Sequence, residues 1–241
     1  MTSIVELLTR YAFVGQERQE KLADWVGNDG DFSMDFPSQR IEWSSGPAAR
    51  CDLLGTEAGG TWLWAWANTS LPFGGAVLSA VNALRQRGLE LGVSELTEPG
   101  FAVDDLHNGH VLGTIASGLL GANGYYFGSG ETSAVLTLVT APELALPPAD
   151  AIRLAGIITR SLGAFPVSHR AAARAYLEQR GAQIAVAADD SWQVHAPAGG
   201  QLTVTFDHHD RVAAVMLEQG PAQGRLTPPS RRGGLSRRHR L

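Results

Sequence analysis

The chain has 241 residues, 44% hydrophobic and 18% charged, which supports a packed core and excludes a chain disordered throughout. The net charge of −5 is unevenly spread: residues 225–241 hold six arginines and no acid, leaving 13 basic against 24 acidic residues, or −11, for the rest. A body that acidic argues against a folded nucleic-acid face, and the single cysteine, Cys51, excludes an internal disulfide framework and suits a reducing, cytoplasmic compartment.

The N-terminus MTSIVELLTRYAF has no basic region followed by an apolar run, so no secretory signal is expected. Ser3-Ile4-Val5-Glu6 reads as a capping box. Behind it, Ile4, Leu7, Leu8, Tyr11, Val14, Leu22 and Trp25 recur at helical spacing, with Gly27 as the stop. Four strands are predicted next: Phe32–Phe36, Arg40–Ser44, Ala49–Leu54 and Thr61–Ala67, punctuated by Pro37-Ser38, Gly46-Pro47 and Gly59-Gly60. Connections this short predict an antiparallel meander, with the fourth and most apolar strand near its centre. Ala58 to Leu84 carries no charge and is long enough to span a bilayer. Its Asn68, Ser70, Pro72, Gly74, Gly75 and Asn82, and its period-two start, favour a strand, a turn and a helix instead, so no membrane segment is expected.

A helix is predicted after Pro72, with a Phe73, Val77, Val81, Leu84 stripe and Gly88 at its end. Gly109 to Gly124 reads as a buried helix whose Gly113, Ser117 and Gly121 form a flat ridge where another backbone can approach. Tyr125-Tyr126-Phe127 and Ser133–Val139 flank Gly128-Ser129-Gly130-Glu131 as a hairpin. Pro142, Pro147 and Pro148 mark a boundary. Beyond it come helices over Asp150–Leu162 and Ser168–Arg180, then strands at Gln183–Ala187, Trp192–His195, Leu202–Phe206 and Val212–Leu217, the last two joined by Asp207-His208-His209-Asp210. The expected class is α+β: an antiparallel meander covered by helices (residues 1–141), then a smaller helix-plus-antiparallel-sheet unit (147–219) packed on it, then a disordered Arg-rich tail (225–241).

Several motifs together resemble a family of uncharacterised bacterial proteins. They are Leu54-Gly55-Thr56, the stretch Thr61-Trp-Leu-Trp-Ala-Trp-Ala-Asn68, Leu84-Arg85-Gln86-Arg87-Gly88, Glu95-Leu96-Thr97, and Gly121-Ala122-Asn123-Gly124-Tyr125-Tyr126-Phe127-Gly128. The resemblance covers about residues 30–140, supports the fold reading and brings no activity, cofactor or catalytic residue with it.

Trp62, Trp64 and Trp66, half of the six tryptophans, fall on one side of a strand. They are read as core under helices, as an aromatic platform, or as a mixture in which a third indole lines a groove. The leading functional expectation is a non-catalytic cytosolic binding or scaffold protein. Its groove would be edged by Trp62, Trp64, Trp66, Tyr125, Tyr126 and His110, and would take a protein or small-molecule partner. The rival is a hydrolase-like enzyme using His107 and His110 with Asp104 and Asp105. Neither a metal nor another cofactor is expected, because no second pair of ligands accompanies His107 and His110. Cys51 could act as a nucleophile only if a base such as His110 came close. Asp189-Asp190 reads as a solvated loop end. Gly128-Ser129-Gly130-Glu131-Thr132-Ser133 lacks the following helix that a phosphate cradle needs. A third reading, a nucleic-acid accessory protein, rests on the tail arginines Arg231, Arg232, Arg237 and Arg238 alone.

Overall fold

Helix α1 (Ile4–Val26) starts at the capping box. The Ser3 hydroxyl accepts the Glu6 N–H at 3.2 Å, and the Ser3 N–H donates to the Glu6 carboxylate at 2.8 Å. The computed structural model describes residues 2–27, 31–44, 46–130 and 132–218. Among these, five α-helices and two antiparallel sheets, of seven and four strands, make an α+β fold. The arginine tail and Glu131 lie outside the described residues.

The larger sheet begins as the expected four-strand meander of β1 (Phe32–Asp35), β2 (Arg40–Trp43), β3 (Ala48–Ala58) and β4 (Thr61–Trp64), to which β5 (Gly100–Ala102), a strand not expected from the sequence, adds on the far edge of β4. Gly59 and Gly60, both at positive φ (55° and 73°), make the two-residue turn between β3 and β4. Strand β3, not the Trp strand, is the hub. Its first half pairs β2 and its last residues pair β4 on one edge, while β7 (Ser133–Thr140) runs along the other edge. The register against β7 shifts between Leu53 and Gly55, a bulge that sits where the other edge changes partner. Strand β6 (Gly124–Ser129) completes the sheet as a hairpin with β7, as expected.

Three local expectations are corrected. The Trp strand stops at Trp64: Ala67 N–H bonds back to Trp64 C=O at 3.0 Å, so Trp66 sits in a turn and leaves the stripe. The helix after Pro72 begins only at α2 (Ser79–Leu91), because Gly75 adopts a positive φ of 54° that a helix cannot continue through. It ends at left-handed Gly92; Gly88 is inside it, where a Cβ would stand 2.5 Å from that of Leu96.

Helix α3 (Gly109–Leu120) is capped by Asn108, whose side-chain oxygen accepts the His110 and Val111 N–H groups at 3.1 Å each. The expected glycine ridge receives aromatic rings instead of a backbone. A Cβ at Gly109 or Gly113 would lie 2.5 Å from the ring of Phe127 or Tyr125, alternate residues of β6. Gly121 is the left-handed C-cap and takes no part in the contact.

Beyond the larger sheet come α4 (Ala151–Ser161), α5 (His169–Gln179), capped by Ser168, and a second meander of β8 (Gln183–Val186), β9 (Trp192–His195), β10 (Gln201–Phe206) and β11 (Val212–Leu217). Helix α1 serves both sheets. Ile4, Leu7 and Leu8 pack with Leu54, Trp62 and Trp64. Ala12, Phe13 and Val14 pack with Leu154, Ile158, Tyr176 and Trp192. Ala58 to Leu84 folds as a strand end, β4, turns and the start of α2, and no helix of the described residues is long and apolar enough to cross a membrane.

Gly113→Ala tests the ring-on-glycine contact. The helix gains up to about 1 kcal/mol in propensity, but the methyl meets a buried Tyr125 ring with nowhere to move, and overpacking costs about 1–3 kcal/mol. Urea unfolding is expected to show a net loss of about 1–2 kcal/mol. Gly118→Ala faces the ring of the half-exposed Tyr11 and should cost less.

Candidate functional site: a cleft floored by a buried carboxylate

The aromatic residues singled out by sequence do not share one groove. Trp62 and Trp64 are 0% and 1% exposed and stack edge to face with centroids 5.1 Å apart, leaving no surface for a ligand. The Trp64 indole N–H donates to Glu95 C=O at 2.9 Å, whereas the Trp62 and Trp66 N–H groups have no hydrogen-bond partner among the described residues. Trp66 is half-buried, with the Arg85 guanidinium stacked 4.0 Å above its ring. Tyr125 and Tyr126 point to opposite faces of the sheet. Tyr125 is buried and meets His110, its hydroxyl 3.3 Å from Nδ1, and burial holds that phenol above its usual pKa. Tyr126 packs against Phe32 and Trp43. Strands β7 and β3 separate β6 from β4, a distance of about 14 Å at ~4.8 Å per strand.

The histidines also separate. His107 Nδ1 lies 2.7 Å from Asp104 and its Nε2 3.6 Å from Glu95. Asp104 also accepts the Leu106 and His107 N–H groups, which with His107 hold its carboxyl below the usual range and mark it as a turn cap. His110 instead turns to Tyr125 and Phe127, and forms no ion pair with Asp104 or Asp105. Cys51 is 1% exposed and its thiol is pushed up to about 11, first by burial. It pairs with Val139 while Tyr125 pairs with the next residue, Leu138, so Cys51 and His110 lie on opposite faces of the sheet. Asp190, in the β8–β9 turn, and Asp210, in the β10–β11 turn, both hold Arg170, at 2.6 and 2.7 Å. Among the described residues no group of three or more His, Cys, Asp or Glu is placed to hold a metal ion.

The site that the structure does assemble lies where α1 meets α4 and α5. Glu17 is 1% exposed at mid-helix, where an isolated charge would be prohibitively unfavourable. Three partners offset that cost: Arg153 Nε and Arg180 Nε, each 3.0 Å from a different carboxylate oxygen, and the Tyr176 hydroxyl, which donates at 3.0 Å. Burial and the Glu17 charge both raise the Tyr176 pKa, so the phenol stays a donor. Above this cluster opens a cleft of about 580 Å³ lined by Glu17, Lys21, Asp24, Trp25, Pro147, Pro148, Ala149, Asp150, Arg153, Arg180 and Ala198. Its size falls within the usual range for small-molecule sites.

Backbone contacts hold the cleft wall in place. Lys21 Nζ donates to Ala145 C=O at 2.6 Å, Arg180 donates to Pro147 C=O, and Ala198 N–H donates to Ala149 C=O at 3.1 Å. The proline stretch that reads as a boundary in the sequence is thus one side of the site. Sequence reasoning missed Glu17, Lys21, Arg153 and Arg180. One signal was present: Phe13, Glu17 and Lys21 fall four apart on a row away from the main apolar stripe, and a phenylalanine there marks a second buried face.

The chain is thus an α+β protein with a cleft at the junction between the larger sheet's cover helix and the second helix-and-sheet layer. Residues 5–142 match the profile of DUF6882, a family of unknown function, and the chain belongs to that family. The match reaches further toward the N-terminus than the motif resemblance, taking in α1, and ends before α4. No curated protein and no solved structure matches the chain. The family profile therefore contains Glu17, Lys21, Asp24 and Trp25 of the cleft, while Pro147–Arg153, Arg180 and Ala198 lie outside it.

Glu17→Gln is expected to destabilise the fold by about 2–4 kcal/mol, the cost of breaking a buried pair reduced because Arg153 is partly exposed. Urea unfolding followed by far-UV circular dichroism measures it.

Proposed function

We propose that the protein is a non-catalytic, cytosolic binding protein that takes a small ligand in the α1–α4 cleft. The observation that carries this reading is the convergence of Glu17, Arg153 and Arg180 at the floor of a cleft of about 580 Å³, with the buried Tyr176 holding Glu17 from behind. Glu17 has both oxygens engaged by fixed partners, which suits a structural counter-charge better than an acid or base. The single buried Cys51 fits a reducing compartment.

The division into units at 1–141 and 147–219 enters this reading as a proposal. Two separate sheets support it, and the sharing of α1 between both cores makes their junction the natural place for a ligand. Trp66 with Arg85, and the exposed His110 lying over the buried Tyr125 and the half-buried Phe127, are set apart from the cleft; the half-buried Trp66 supports a secondary contact point for a protein partner. The hydrolase-like reading finds no support in the separate positions of His107 and His110. The nucleic-acid reading concerns arginines outside the described residues.

Native mass spectrometry of the full chain tests the cleft. A small molecule retained through gentle purification is expected, and it should be lost in Ala198→Trp, which fills the cleft from its exposed rim with the melting temperature unchanged. A molecule held equally well by Ala198→Trp would place binding elsewhere.

A further inference from the structure

We infer that the ligand is an anion, a carboxylate or phosphate carried on an apolar body, held by Lys21 and Arg153; this deepens the binding reading above and rests on it. Glu17 faces two guanidinium groups, so the cluster keeps an excess positive charge. Lys21 adds a second. Its Nζ bonds a backbone carbonyl at 2.6 Å, and among the described residues no carboxylate lies within 4.0 Å of it. Arg153 gives only Nε to Glu17. Its two terminal nitrogens have no hydrogen-bond partner among the described residues, and its side chain is 38% exposed on the cleft wall. A guanidinium presenting two parallel N–H groups matches a carboxylate or phosphate edge.

Asp24 and Asp150 also line the cleft and bring its formal charge to zero, so the positive charge is local to Lys21 and Arg153 and not a net property of the lining. Arg153 and its neighbours form the first turn of α4, whose N-terminal end carries partial positive charge. Of the acids lining the cleft besides Glu17, Asp150 is occupied as the N-cap, accepting the Arg153 N–H at 2.8 Å. Asp24 is exposed, where solvent and salt screen it. Trp25, Pro147, Pro148 and Ala198 give the cleft an apolar wall, so a bare inorganic ion would leave most of the space unused.

Calorimetric titration of the full chain at constant ionic strength, with phenyl phosphate, benzoate and benzyl alcohol, tests the inference. Both anions should bind one to one and at least tenfold more tightly than the neutral alcohol, and the stronger of the two tells phosphate from carboxylate. Lys21→Met and Arg153→Met should each weaken the anions at least tenfold. Lys21→Met keeps the test valid if Arg153→Met fails to fold; because Lys21 also bonds a wall carbonyl, benzyl alcohol binding unchanged in this variant is the control that the wall has held. Benzyl alcohol binding as tightly as the anions would overturn the anion inference and leave the binding reading standing. Anion binding unchanged in both variants would also overturn it. If none of the three probes bound, the anion inference would fall, while the binding reading would still be decided by the molecule retained in native mass spectrometry.

Discussion

A carboxylate in the middle of α1, 1% exposed, is the constraint on which the rest of the architecture depends. Glu17 is tolerable there only as long as Arg153, Arg180 and Tyr176 reach it, and all three come from α4, α5 or the residue just after α5. The larger sheet alone could bury the Ile4–Leu8 face of α1 but could not neutralise Glu17. The helix that caps the first sheet is therefore also an internal element of the second layer. Buried ion pairs of this kind often stabilise no better than well-packed apolar side chains. The cluster lies beside Phe13, Tyr176 and Leu177, so in the proposed site it is the polar part of an otherwise apolar packing layer.

The cleft follows from how the chain gets from the first sheet to α4. Residues 145–150 are short, proline-containing and bonded to α1, to the end of α5 and to the loop after β9 through their carbonyl groups. With that wall fixed, the space between it and α1 cannot collapse, and the side chains facing it are mostly long and charged. The family profile covers only the α1 side of this arrangement. The opposite wall belongs to the remainder of this chain.

Features decided within a few residues were legible in the sequence: the Ser3–Glu6 box, the Gly59-Gly60 turn, the Ser168 cap, and the β6–β7 and β10–β11 hairpins. Each follows from local backbone chemistry. The misreadings came where distant contacts override local pattern. Trp66 continues the alternation of Trp62 and Trp64, yet the chain turns at Ala65 once its N–H has bonded Leu54 C=O at 2.8 Å. Gly88 looks like a helix stop but is interior because Leu96 packs on it. Three-residue β5 carries too little pattern to be seen. The cleft was the least legible part, since Glu17 lies more than a hundred residues from both Arg153 and Arg180 and each alone reads as an ordinary solvated charge.

The measurement that bears most directly on this account is a double-mutant cycle between Glu17→Gln and Arg180→Met, read by urea unfolding of the full chain. If one buried cluster ties α1 to the second layer, the coupling energy should be about 1–3 kcal/mol. Effects that add to within about 0.3 kcal/mol would contradict it.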